Sequence, residues 1–252
     1  MATRRRAAPI WARMIARRLG VGILAVAIGV LVAAAIIAAI AAVRLHRQTA
    51  ALDRDLRAEV AGDVDLAEER AALDRCLTGR IAELSSKMGA TGDAWQGDPQ
   101  PRGSGSAPPN PADPIETVRS PHRFWSRGAW LSSQSGEPYR ALPLVRRSGY
   151  AGAYQMFAEL EALQSTANDL ETDVAPLSHD MALTPALKAE FVERLSRLAW
   201  DYRLISLDAH QAIRAAHALG VEPDRAEVSR MVVAQRRRLG DCVEDVASGP
   251  AD

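Results

Sequence analysis

From Leu19 to Val43 the chain reads LGVGILAVAIGVLVAAAIIAAIAAV, 25 residues without a charge, an amide or a hydroxyl. A helix rises about 1.5 Å per residue, so the run spans roughly 37 Å, enough to cross a hydrocarbon core of about 30 Å with some tilt. A buried helix of an ordinary soluble domain does not need that length without one polar side chain. The rival is a removable signal peptide, whose apolar region is usually about 7–15 residues and ends at small residues. Ala33-Ala34-Ala35 and Ala39-Ile40-Ala41 each imitate a cleavage site, but the run continues for eight residues beyond Ala35. Arg5-Arg6 is followed by Ala7, Ala8 and Pro9, without the apolar pair of a twin-arginine signal. Residues 19–43 are therefore read as a retained transmembrane helix, with the lipid bilayer as its first partner.

The flanks orient that helix. Residues 1–18 carry six Arg (Arg4, Arg5, Arg6, Arg13, Arg17, Arg18) and no acid, against four Arg (Arg44, Arg47, Arg54, Arg57) in the fifteen residues after the run. Excess Lys and Arg stay on the cytoplasmic side. The expectation is a single-pass inner-membrane protein with a basic cytoplasmic tail and a periplasmic remainder. Trp11, with Ile10, Met14 and Ile15, suits either a short interfacial helix or a plain tail. Formal charge is zero, yet beyond residue 18 there are 25 basic against 31 acidic residues. A mildly acidic body lacks the positive surface that nucleic acid requires. Only Lys87 and Lys188 are lysines, so Arg is the general cation of this chain and does not itself signal phosphate recognition.

Within the span, small residues recur every fourth position at Ala25, Gly29 and Ala33, and again at Ala34, Ala38 and Ala42. Such stripes let helix backbones approach closely. Homo-oligomerisation through the transmembrane helix is expected at Ala25, Gly29 and Ala33, although nine Ala in the run produce some such spacings by chance.

Beyond the membrane the pattern is helical, and the fold class is all-α. Residues 44–90 form a membrane-proximal stalk helix, in which Leu52, Leu56, Leu66, Leu73, Leu77, Ile81, Leu84 and Met88 recur at three- and four-residue steps. A strict heptad fails at Asp63, Arg70 and Arg80, so a coiled coil is the lesser expectation. Residues 91–121 are read as a flexible linker, because GDPQPRGSGSAPPNPADP has six Pro and three Gly in 18 residues and no large apolar side chain. Residues 122–147 are aromatic, Arg-rich and irregular. Their aromatics either plug into a helical domain, or Phe124, Trp125, Arg127 and Trp130 form an exposed partner-binding patch, since Trp and Arg are enriched at binding hot spots.

Residues 148–246 are expected to be an antiparallel helical bundle, with the stalk available as a fourth helix and a tail at 247–252. A first helix is capped at Ser148 or Gly149. Thr184-Pro185 reads as an N-cap followed by Pro at the first helical position. The helix it opens is the most periodic in the chain, with Phe191, Leu195, Leu198, Tyr202, Ile205, Ala209, Ala212, Ala216 and Leu219 on one face and Gly220 as its stop. Pro223 starts a last helix through about Val246.

The two cysteines lie in the stalk (Cys76) and the last helix (Cys242). Outside the cytoplasm they are expected to pair within one chain, the alternatives being a bond between two copies or two buried thiols. Chemistry-bearing patterns are missing: there is no HExxH, CxxC, CxxCH, GxSxG or phosphate-binding glycine loop. His210 and His217, seven residues apart, sit about 10.5 Å apart along a helix, too far to share one metal without other ligands. No catalytic group, metal or cofactor is expected. The functional expectation is a non-catalytic scaffold or interaction protein of a bacterial cell-envelope assembly, with other envelope proteins as partners. The alternatives are a sensory subunit acting through a partner and an envelope hydrolase, for which His179 would be the residue to test.

Overall fold

The computed structural model describes residues 10–100, 117–118 and 120–245, with side chains described from residue 26 onward. The chain divides into two units, Met1–Ala51 and Leu52–Asp252.

In the first unit the described residues belong to helix α1 (Ile10–Ala72). Val26, Ile28, Leu31 and Val32 are 68, 53, 69 and 53% exposed, and helical spacing distributes them around the circumference. The best 18-residue window has a mean hydropathy of 2.9 with none of it buried. The helix is long and apolar enough to cross a membrane. Gly29 has open space where a Cβ would stand, and Ala33 is exposed. The side chains of Trp11 and Ala25 lie outside the described residues.

The second unit is a helical bundle, and the expected stalk is part of its core. Leu56, Leu73, Leu77, Ile81, Leu84 and Met88 are buried, as are Val60, Val64 and Ala67. Helix α1 gives way at Leu73 to α2 (Asp74–Ala90). The Glu244 amide donates to Ala72 O at 3.0 Å, competing for the carbonyl that the Cys76 amide would take in an unbroken helix.

The remaining helices are the short α3 (Gly128–Ser133) and α4 (Glu137–Ala141), then α5 (Leu144–Val174), α6 (Pro185–Ala218) and α7 (Arg225–Leu239). Cross-helix contacts fix their directions. Helix α5 runs against α6, since Tyr202 bonds Glu171 while Arg194 reaches Asp173. The α1–α2 pair also runs against α6, with Arg57 near Gly220 and Lys188 on Gly89 O. It runs with α5, since Asp53 meets Tyr150 and Glu59 meets Tyr154. Two parallel helices in one bundle require a long return connection. Residues 91–100, 117–118 and 120–143 are its described part.

Several boundaries differ from expectation for identifiable reasons. The 91–121 segment is not a linker at its ends. β1 (Ala94–Trp95) pairs antiparallel with β2 (Met181–Ala182), Trp95 is buried, and Thr117 and Val118 are buried; residues 101–116, where most of the Pro and Gly fall, lie outside the described residues. Helix α5 begins at Leu144, directly after an extended Pro143, four residues before the expected cap. Helix α7 starts after Asp224, whose side chain accepts the Ala226 and Glu227 amides, and stops at Gly240 with φ +92°. Cys242 therefore sits in the turn after the last helix. From there it bonds Cys76 on α2, with Cα atoms 5.0 Å apart and a sequence separation of 166. Thr184 caps α6 as expected, accepting the Leu187 amide at 3.2 Å, and Gly220 follows the helix with φ +69°, a conformation glycine adopts without a Cβ penalty.

Candidate functional site

The return connection has a physical problem to solve. A Pro-interrupted, extended segment forms no ladder of its own, yet its backbone groups need partners wherever they are buried. The partners come from the helices beneath it, in reverse order. Arg80 donates to Thr117 O at 3.1 Å and to Asp98 O at 2.5 Å. Arg70 reaches Ser120 Oγ at 3.3 Å. Glu69 takes Arg123 in a two-pronged pair at 2.6 and 2.6 Å. Asp63 accepts the Ser126 amide at 2.8 Å, and Glu59 accepts the Ala129 and Trp130 amides at 3.0 and 3.1 Å. The segment from Thr117 to Trp130 is thus a strap laid antiparallel to α1–α2. Asp63, Arg70 and Arg80, the positions where the heptad fails, are three of its fastenings.

The extended backbone alternates its side chains. Pro121 and Trp125 are buried and Arg123 and Arg127 half-buried, while His122, Phe124 and Ser126 face out. This divides the expected recognition patch. Trp125 stacks on Phe157 with ring centroids 5.7 Å apart. Trp130 stacks on Tyr154 at 4.8 Å and meets Tyr139 edge-on at 5.6 Å. Arg127 pairs with Glu161 on α5. Phe124 alone of the four is fully presented to solvent, at 90% exposure. Phe124 therefore fits a patch, and the other three serve chiefly to seat the strap.

Charges under the strap are unequal. Burial would raise the Glu59 carboxyl, but hydrogen bonds from Tyr154, the Ala129 amide, Ser126 and the Trp130 amide hold it below its ordinary value. Asp63 goes the other way. Burial pushes it up to about 7, the Ser126 amide opposes this, and Glu59 adds to it. Its Oδ2 is buried without a hydrogen-bond partner. Further along, Arg70 lies 4.7 Å over the Tyr202 ring. Burial lowers its pKa, against which the Tyr202 hydroxyl and Glu171 act. Gln235 on α7 donates to Glu69 at 2.9 Å, tying the last helix to the same row.

The histidines take no part in this row. His210 is exposed, and His217 lies 3.2 Å from Glu222. His179 Nδ1 is 2.8 Å from Ser178 Oγ, whose proton is committed to Ala175 O at 2.7 Å. Asp180 accepts the Gly97 amide at 2.7 Å, so it secures the β1–β2 corner and does not orient the imidazole. Among the described residues no group of three or more His, Cys, Asp or Glu is placed to hold a metal. An open depression of about 480 Å³ lies at that corner, lined by Lys87, Thr91, Trp95 and Asp98 among others.

The strap had partial signals in the sequence: charged residues interrupting a helical seam, and an aromatic, Pro-interrupted stretch without regular period at 122–147. What the sequence did not disclose was that each belongs to the other. Comparison with protein-family models, with curated proteins and with solved structures found no match for this chain.

Proposed function

We propose that this chain is a single-pass, membrane-anchored, non-catalytic interaction protein of a bacterial cell-envelope assembly. Its N-terminus lies in the cytoplasm and its helical domain in the periplasm. The Cys76–Cys242 bond is the observation that carries the reading. Structural disulfides persist in oxidising compartments and are rare in the cytosol, and the second unit holds this one. The Arg-rich flank of residues 1–18 supports the same orientation. Asp63, Glu69, Arg70 and Arg80, buried polar groups of α1 and α2, are engaged in holding the strap, which supports a scaffolding role for them. Phe124, projecting from that strap, supplies a contact point for a partner protein.

Proximity labelling from the C-terminus in intact cells tests the proposal. The expected result is enrichment of periplasmic and inner-membrane proteins, reduced for specific neighbours by Phe124→Ala. Labelling of cytoplasmic proteins contradicts the orientation, and labelling without specific neighbours contradicts the interaction role.

A further inference from the structure

Helix α6 turns Phe191, Leu195, Leu198, Tyr202, Ile205 and Ala209 to the core. Its opposite side is also apolar at the centre. Trp200 is 60% and Leu207 51% exposed, with the partly buried Leu204 between them. A single exposed apolar residue needs no explanation. Here three stand in register at steps of four and three, the spacing of a coiled-coil seam, on the outer face of a 34-residue helix.

The charges beside the seam are sorted by sign. With Trp200 and Leu207 at d and Leu204 at a, Asp201 and Asp208 occupy e, while Arg203 and His210 occupy g. In a parallel pair, g of one helix faces e of the next heptad on the other, which sets Arg203 against Asp208 of a second copy, twice by symmetry. An antiparallel pair would oppose acid to acid and base to base. Among the described residues, Arg203 and Asp208 have no ionic partner in their own chain. Asp208 instead lies beside Glu159, and its carboxyl is raised first by burial and then by that like charge.

We propose that the outer face of α6 is a homotypic docking surface, on which a second copy of this chain closes the Trp200–Leu204–Leu207 seam with its own α6 running parallel. The proposal supplies one partner for the interaction role above and rests on that reading only for the tether. The seam is shorter than a standard interface. Two copies confined to one membrane meet at high effective concentration, so a weak seam suffices.

The test uses full-length chain in membranes. The native cysteines are bonded to each other, so Leu207→Cys or Leu204→Cys adds a single reactive thiol. Oxidative cross-linking is expected to give a dimer from either variant, and much less from Val233→Cys, an exposed control on α7. Arg203→Asp or Asp208→Arg should each slow the cross-link about tenfold, and the double reversal should restore it. Leu204 and Asp208 are partly buried and Trp200, Arg203, Leu207 and Val233 exposed, and thermal melts of each variant check that the fold is retained. Cross-linking of Leu207→Cys no faster than the control overturns the proposal. So does cross-linking confined to mixtures of Trp200→Cys with Leu207→Cys, the antiparallel result. Loss of the dimer on Gly29→Leu together with indifference to charge reversal also overturns it, by placing self-association in the apolar helix. Carbonate extraction of the same membranes reports the anchor separately. A chain that washes free yet still cross-links overturns the membrane reading and supports the seam.

Discussion

Asp63 is the residue where the fold accepts its clearest electrostatic penalty. Its carboxyl is 1% exposed, faces Glu59, Arg127 and Glu161, and is held at about 7 by burial. The folded chain therefore retains a proton that the unfolded chain loses near its ordinary value of 3.8. Stability from this group is full below about pH 4 and declines as pH rises toward 7, because the folded state binds the extra proton. Asp63→Asn keeps an oxygen for the Ser126 amide and removes the titration. The variant should match wild type near pH 4 and exceed it at pH 8 by roughly 2–4 kcal/mol in denaturant melts. A difference that does not change with pH contradicts this account of Asp63. Arg80 is the complementary case, a 5% exposed cation engaged on both sides of the 101–116 segment. Arg80→Leu should cost roughly 3 kcal/mol and accelerate proteolysis between residues 98 and 117. Unchanged cleavage there would show that Arg80 does not hold the two ends.

The strap is the element that gives these residues their purpose, and alternation along it makes a paired prediction. Trp125→Ala removes a buried ring from Phe157 and should destabilise by about 3–5 kcal/mol. Phe124→Ala, one residue away, should leave the melting curve within about 0.5 kcal/mol of wild type while weakening partner capture. Equal effects on stability would mean that the strap is not seated as described. Elements whose cause is local were legible in the sequence. Thr184-Pro185 announced α6, Gly220 ended it, and the leucine spacing from Leu52 to Met88 identified the helical face. The strap and the β1–β2 pair were not legible, because their causes are distant. Asp63 and Ser126 are 63 residues apart, and Trp95 finds the Leu177 carbonyl 82 residues on. A charged residue in a helical seam says that the pattern is broken, and it does not say by what. The expected linker misled for the same reason: Gly97 looks like punctuation, yet a Cβ there would stand 2.6 Å from Ser178 O, so it is glycine because two backbones meet.

At the scale of the whole molecule, the disulfide joins α2 to the turn after α7, which the chain separates by most of its length. Closing a loop of that size stabilises by about 4–5 kcal/mol on chain-entropy grounds. Cys242→Ser should lower stability by a similar amount and loosen the contact of Glu244 with Ala72 where α1 gives way to α2. The apolar helix was readable from residue types alone, whereas the pairing of Cys76 with Cys242 was expected beside a bond between two copies and two buried thiols, and the structure shows the intramolecular bond. Together they support the compartment proposed above, a helix long and apolar enough to cross a membrane followed by a disulfide-bonded domain. Acid-quenched cells, alkylated before lysis and fractionated with carbonate, measure both properties on the same molecules. An uncleaved chain is expected in the washed membrane pellet, with Cys76 and Cys242 protected from alkylation until a reductant is added. A shortened chain in the soluble fraction, or thiols that alkylate without reduction, would contradict that compartment.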